Sequence, residues 1–204
     1  MYLKNIPRAL SFLFKDVNTY VKNSDSFYLT FDDGPFNTTT PLLLQKLKKL
    51  NVKATFFCTG KQAEKHNDLM EMIISHGHIV GNHGHSHLNG WKTSLEEYVC
   101  DINRSKLKLQ TNLFRPPYGK LTWKQYQKIK ATNKIVLWDN MPGDFDTSLS
   151  LSQVTSNFKK NLKSGTIIVL HDNPKSIDKC LAILDSISSE EIKSLKFETL
   201  NCLL

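Results

Sequence analysis

Two short segments of this 204-residue chain combine acids and imidazoles in a way that suits metal-assisted hydrolysis. The first is Thr30-Phe31-Asp32-Asp33-Gly34-Pro35. Adjacent carboxylates at the end of an apolar run, followed by a Gly-Pro turn, cannot both face the same way. One can hold a metal ion while its neighbour works as a base toward water. Taken alone, the segment also fits an ordinary Asp/Gly-rich turn. The second is His83-Gly84-His85-Ser86-His87. His83 and His87 stand four apart, so one helical turn would put both rings on one face, where two imidazoles can share an ion. His85 would then point elsewhere. With Asp33 the pair makes a two-His-one-carboxylate set with an open position. That set suits a divalent metal, Zn²⁺ first, with Co²⁺, Ni²⁺, Fe²⁺ and Mn²⁺ as alternatives that the ligands do not separate. His66, His76 and His78 have no such partners and read as surface or structural residues.

Three further segments add polar groups. In Phe114-Arg115-Pro116-Pro117-Tyr118-Gly119, Arg115 can hold a carboxylate bidentately. The stiff Pro-Pro pair would fix the backbone so that a main-chain N–H faces a developing oxyanion. A rigid loop with a surface arginine is the plain alternative. The stretch from Trp138 to Phe145 carries Asp139 and Asp144. His171 closes the apolar run Ile167-Ile168-Val169-Leu170, where an imidazole can titrate near neutrality and protonate a leaving amine. A polar cap on a buried strand would look similar.

The elements that must position these groups alternate in type. Apolar, strand-like runs cover Phe27–Phe31, Ala54–Cys58, His78–Gly81, Leu113–Phe114, Lys134–Trp138, Thr166–Leu170 and Phe197–Leu200. Amphipathic helices lie between them. Thr40 can cap a helix opening with Pro41 and carrying Leu43, Leu44, Leu47 and Leu50. Ser94 with Glu97, and Thr122 with Gln125, are capping-box pairs. Ser152 opens a helix that stops at Gly165, and Ser176–Ile187 forms the last one. This alternation predicts an α/β fold with a parallel sheet. Asp32, Asp33, His83, Arg115, Asp144 and His171 each stand at or just past the end of an apolar run. One site fed by five strand ends favours a closed barrel over an open sheet.

Bulk properties narrow the remaining classes. The net charge is +8, but the lysines are spread over helix faces, and no aromatic-interleaved basic patch or nucleic-acid motif is present. No apolar run is long enough for a transmembrane helix. The N-terminal apolar stretch is short and closed by Lys15 and Asp16, which does not make a signal peptide and points to the cytoplasm, with cell-envelope association as the alternative. Residues 1–25 read as a short helical extension packed on a domain spanning 26–204, with Phe12 and Phe14 as an alternative membrane-surface contact. Cys58, Cys100 and Cys180 read as small core residues; no spacing suggests a cysteine metal site.

In this order, the five segments resemble the polysaccharide deacetylase family, the carbohydrate esterases that share the NodB homology domain. The resemblance covers residues 26–200 and rests on TFDDGP at Thr30–Pro35, His-x-x-x-His at His83–His87, RPPYG at Arg115–Gly119, the Trp138–Phe145 stretch and LHD at Leu170–Asp172. It implies a distorted (β/α)7 barrel that hydrolyses acetamides on N-acetylglucosamine-type glycans, working as a monomer. By that likeness Asp32 is the general base and Asp33, His83 and His87 hold the metal. Arg115 positions Asp32, the Tyr118 N–H stabilises the oxyanion, and His171 is the general acid. Pro117, Trp138, Phe145 and Val169 are placed in the substrate pocket, with Phe145 where the family often has Trp. Two positions depart from the family pattern. Gly84 replaces a hydroxyl residue that braces the loop after the first ligand, with Ser86 as a possible substitute. Met141 replaces an Asp that tunes the catalytic imidazole, leaving Asp144 and Asp139 as the nearby acids. Two other readings accompany the main one: deacetylation of a small or lipid-linked acetamide, and a weakly active metal- and glycan-binding barrel.

Overall fold

The computed structural model describes residues 6–8, 14, 16–190 and 192–204. Among them, seven parallel strands form one sheet in the order β1-β6-β5-β4-β3-β2-β7. The strands are β1 (Val17–Asn18), β2 (Tyr28–Asp32), β3 (Thr55–Cys58), β4 (Ile79–Asn82), β5 (Leu113–Phe114), β6 (Lys134–Val136) and β7 (Ile167–His171). The helices are α1 (Thr40–Leu50), α2 (Gly60–Lys65), α3 (Asn67–Ser75), α4 (Leu95–Leu109), α5 (Trp123–Ile129), α6 (Leu151–Lys160) and α7 (Ile177–Ser186). Between β7 and the opposite edge, pairing falls to single bridges, Tyr20 with Thr166 and Asn140 with Ile168. The sheet therefore curls into a distorted (β/α)7 barrel with an irregular seam.

The alternation of side chains along each strand builds two cores. On β2, Leu29 and Phe31 face outward and pack with Leu43, Leu44 and Leu47 of α1. Tyr28 faces inward, clustering with Phe57, Leu113, Val136 and Ile167. Thr30 and Asp32 share that inward face by the two-residue period, so the same alternation that fills the barrel delivers Asp32 to its upper end. β2 and β7 are buried on both faces, as parallel strands under helices are. Their register sets Asp32 beside His171.

Element edges moved where capping geometry outweighed periodicity. In α1 the N-cap position is Thr39, one residue earlier than expected, but its hydroxyl makes no capping bond and donates to Asp172 instead. α6 begins after Ser150, whose hydroxyl and Gln153 make a full capping box, and it ends at Lys160 instead of running on to Gly165. Ser94 caps α4, and Thr122 with Gln125 forms the other box. The run Phe197–Leu200 is not a strand. Only Phe197 bridges to Phe27, and Leu200–Leu203 is a 3₁₀ turn held by the Leu200 N–H to the Thr55 hydroxyl. The helix expected within residues 1–25 falls partly outside the described residues. Within that stretch, Val17–Asn18 is the edge strand beside β6. Phe12 lies outside the described residues, while Phe14 packs edge-on against Tyr126 and Trp123. Cys58 and Cys180 are buried as expected, but Cys100 is exposed on α4.

Candidate metal centre and active site

The two-residue period of β2 would send the Asp33 side chain to the face opposite Asp32, but Asp33 adopts a left-handed backbone, φ +79°. Asp tolerates that region better than most residues, and with this backbone both carboxylates stand beside His83, Asp32 Oδ2 and Asp33 Oδ1 each 3.8 Å from its Nε2. His83 follows β4 directly, but His83–His87 is a loop and not a helical turn, contrary to the spacing argument. Positive φ at Gly84 (+73°) and His87 (+57°) curls the chain and brings the two rings to 4.9 Å between centroids. Asp33, His87 and Tyr118 are all non-glycine residues at positive φ, and this concentration of backbone strain marks the site.

The loop is held from below. Asn82 accepts the Gly84 N–H at 2.8 Å, and the Ser105 hydroxyl donates to the same oxygen at 2.8 Å. Asp101 on α4 accepts the N–H of His85 at 2.7 Å and of Ser86 at 3.0 Å. A Cβ at position 84 would stand 2.9 Å from the Asp101 carboxylate. Glycine at this departure from the family pattern thus meets both a positive φ and a close approach, and Asp101 supplies the brace. His85 points away from the centre, with its Nδ1 3.8 Å from Glu64.

Asp33, His83 and His87 offer three donor atoms within 4.8 Å of one another. Asp33 Oδ1 lies 3.4 Å from His87 Nε2 and 3.8 Å from His83 Nε2. Ligand bonds of about 2.1 Å at tetrahedral angles put donor atoms about 3.4 Å apart, so the set fits a divalent ion. The protonation states fit too. His83 Nδ1 is 2.9 Å from the Arg115 carbonyl, which can only accept, so the ring donates from Nδ1 and a neutral imidazole in this position presents its Nε2 lone pair to the centre. Burial, aided by His83, pushes the His87 pKa down to about 4, leaving a neutral imidazole. Burial opposes the Asp33 charge, but His171, His83, His87 and the Asn173 amide outweigh it and hold this carboxyl below its usual range. Asn173 Nδ2 donates to Asp33 Oδ2 at 2.8 Å, while its Oδ1 accepts the N–H groups of Lys175 and Ser176 at the start of α7.

Arg115 is fully buried inside the barrel, far from the surface loop residue that was the alternative. Its grip on Asp32 is through one nitrogen, not two. Nη1 donates to Asp32 Oδ1 at 2.7 Å and to the Thr30 hydroxyl at 2.6 Å. Nη2 and Nε turn instead to the carbonyls of Leu137 and Val136, and the guanidinium lies over the Phe57 ring. With Oδ1 pinned, Asp32 Oδ2 lies 3.8 Å from His83 Nε2, beside the candidate centre.

His171 Nδ1 lies 2.9 Å from Asp144 Oδ1, and the His171 N–H donates to Asp144 Oδ2 at 2.7 Å. Burial alone would lower this imidazole. The Asp144 charge and hydrogen bond, with Asp33 and Asp32, raise its pKa to about 9. Asp139 is committed elsewhere, to Arg8 and the Ile167 N–H, and Met141 is core. The carboxylate that tunes His171 is therefore Asp144, and Met141 leaves no gap there. The Phe145 ring stands edge-on to His171, 4.9 Å between centroids, and Val169 is buried one inward step below it. Tyr118 sits in the 3₁₀ turn Pro117–Gly119 with its ring edge-on to His87 at 4.6 Å. Pro117 is buried against Gly84, and Trp138 packs behind Gly119 instead of standing open to the cleft.

Sequence reasoning missed Asn82, Asp101 and Asn173, whose contacts join distant segments and leave no local pattern. Asp172 was read only as part of a motif. It is buried under the hydroxyls of Thr39 and Thr40, each at 2.5 Å, and burial pushes its pKa up to about 6. It ties β7 to the start of α1.

Fold and site define a class: a parallel (β/α) barrel whose strand ends hold a two-His-one-Asp centre beside a carboxylate and an imidazole suited to acid–base work. The sequence model of the polysaccharide deacetylase family matches residues 20–134, and the chain belongs to that family. A peptidoglycan-N-acetylglucosamine deacetylase of Bacillus cereus is 35% identical over 87% of this chain and 68% of its own length. A chitooligosaccharide deacetylase of Azorhizobium caulinodans is 31% identical over 74% and 75%. The crystal structure of the Bc1960 peptidoglycan N-acetylglucosamine deacetylase superposes with a TM-score of 0.87 at 31% identity, covering 98% of this chain and 97% of that one.

Proposed function

We propose that this protein hydrolyses the N-acetyl group of N-acetylglucosamine-containing glycans, releasing acetate. The observation that carries this is the placing of Asp32. Arg115 fixes one of its oxygens, the other faces the Asp33–His83–His87 centre, and His171 lies on the adjoining strand. The peptidoglycan-N-acetylglucosamine and chitooligosaccharide deacetylases among the relatives support that substrate class.

Asp33, His83 and His87 would hold the ion, Zn²⁺ by preference of a two-His-one-carboxylate set. When bound, it supplies a Lewis acid that acidifies water and polarises a carbonyl. Asp32 takes the proton of the attacking water, its free oxygen being the one on the centre's side. Tyr118 sits on a strained, proline-stiffened turn, and its main-chain N–H would serve as the donor to the developing oxyanion. As the C–N bond breaks, His171 gives its Nε2 proton to the sugar nitrogen, and acetate leaves. Nδ1 stays with Asp144, which holds the ring and stabilises its charged form. Phe145 and Val169 close the apolar side where an acetyl methyl would rest. Every one of these groups comes from one chain, so a monomer suffices. No helix among the described residues is long and apolar enough to cross a membrane.

Acetate release from N-acetylglucosamine oligomers should stop on exhaustive chelation and return with added Zn²⁺ or Co²⁺. Full activity with metal content reduced to zero would sink the assignment of the centre.

A further inference from the structure

Beside the centre runs an exposed strip whose side chains the proposed chemistry does not use. Tyr118 is 58% exposed and Trp91 is 65% exposed, among the largest open aromatic surfaces of the described residues. The two rings are linked by Lys120, whose Nζ lies 4.8 Å from the Trp91 centroid and 6.0 Å from that of Tyr118. Lys120 makes no ion pair with a carboxylate among the described residues. The strip is continuous with the site, because Tyr118 stands edge-on to His87 at 4.6 Å.

The Trp91 ring is exposed but not loose. Its Nε1–H donates to the Leu121 carbonyl at 3.2 Å, and its own backbone N–H donates to Asn89 Oδ1 at 3.0 Å. The turn bearing it is pressed onto the segment before α5. A Cβ on Gly90 would meet the Lys120 carbonyl at 2.3 Å, and Gln125 Nε2 donates to the Gly90 carbonyl at 2.9 Å. Holding a large apolar ring in water at a fixed angle costs solvation and gains nothing for the core. Pre-organised, amphipathic aromatic surface of this kind is what recognition sites use, because little side-chain entropy is lost on binding.

We infer that Tyr118, Lys120 and Trp91 form an outer subsite for a sugar chain, taking the residues that extend beyond the one losing its acetyl group. The inference rests on the deacetylase reading of the adjoining centre. Pyranose rings present apolar C–H faces that stack on indole and phenol rings, while their hydroxyls reach the rim. The Lys120 ammonium between the rings adds a donor for hydroxyl or carboxylate oxygens. Binding energy collected this far from the reacting bond would make an oligosaccharide a better substrate than its monomer.

The test has two arms. In the first, acetate release from N-acetylglucosamine and from its β-1,4-linked pentamer is measured for the wild type, Trp91→Ala and Trp91→Phe. Trp91→Ala should lose about tenfold in kcat/KM on the pentamer, mostly through KM, which corresponds to about 1.4 kcal/mol. The monomer should be unaffected, and Trp91→Phe should recover most of the loss. In the second arm, calorimetry measures pentamer binding to Asp32→Asn, with and without Trp91→Ala. A weaker affinity on loss of the ring supports the subsite even if the wild type releases no acetate, in which case the deacetylase reading fails and the subsite stands. Unchanged pentamer affinity and kinetics in Trp91→Ala overturn the subsite, as does an equal loss on monomer and pentamer. Trp91→Phe behaving like Trp91→Ala overturns stacking as its basis.

Discussion

The balance between Asp144 and burial at His171 decides the usefulness of that imidazole. A general acid must carry its proton when the amine leaves. Burial disfavours the charged ring, and Asp144, with Asp33 and Asp32, reverses this and brings the pKa to about 9. His171 is then protonated at neutral pH, and activity should fall as pH rises through that value. A bound cation opposes the help from Asp33 and Asp32, so the alkaline limb of the loaded protein should lie below 9. Asp144→Asn removes the dominant favourable partner. Burial then wins, the proton is lost at lower pH, and the limb of the kcat profile should shift acidward, with kcat at pH 7 down by about 10²–10⁴-fold. An unmoved alkaline limb would show that Asp144 does not tune His171. At this scale much was legible. The residue types of TFDDGP, the paired histidines and LHD announced the chemistry, because a metal, a base and an acid each demand particular side chains. Met141 misled, because the carboxylate meant to replace it stands three residues on and reaches His171 only through the bend after β6.

At the scale of elements, the paired histidines depend on a helix that touches no substrate. α4 places Asp101 under the His83–His87 loop, where it takes up two backbone N–H groups. Without it the loop would have to hold two positive-φ residues unaided. Asp101→Ala should weaken Zn²⁺ binding by about 10–100-fold, the usual range for residues that orient metal ligands. Asp101→Asn, which keeps acceptor oxygen, should lose less. Competition against a chromogenic chelator measures both, and an unchanged affinity for Asp101→Ala would remove the brace from the account. Helices and strands themselves were largely readable, since caps and periodicity act over two to four residues. The misread elements show where that reach ends. The four-residue spacing of His83 and His87 fits a helical turn as well as it fits a curled loop, and Gly84 tips it to the loop. Phe197–Leu200 has strand composition but meets β2 at a single bridge, because the chain there turns under the barrel.

For the whole molecule, the candidate ligands lie at the ends of β2 and β4, so a bound ion would tie together segments some fifty residues apart in the chain. An ion at about a hundred times its Kd adds about 2.7 kcal/mol to folding stability. For a protein of this size that is roughly 5–10 °C in Tm. Calorimetry should show such a rise with Zn²⁺ in the wild type and none in His83→Ala, and a wild-type Tm indifferent to metal would count against a centre of useful affinity. The sequence alone determined the α/β alternation, most of the helix starts, and the chemical types at the strand ends. These are consequences of local periods and of what each side chain can do. Tertiary structure decided the rest. It buried Arg115 across the barrel against Asp32, took Val17–Asn18 into the sheet, chose Asp144 over Asp139 for His171, and aligned Trp91 with Tyr118 along one open strip. The physical reason is the same in each case. Those contacts join residues far apart in the chain, and they exist only once the sheet has curled and the positive-φ turns have aimed its loops.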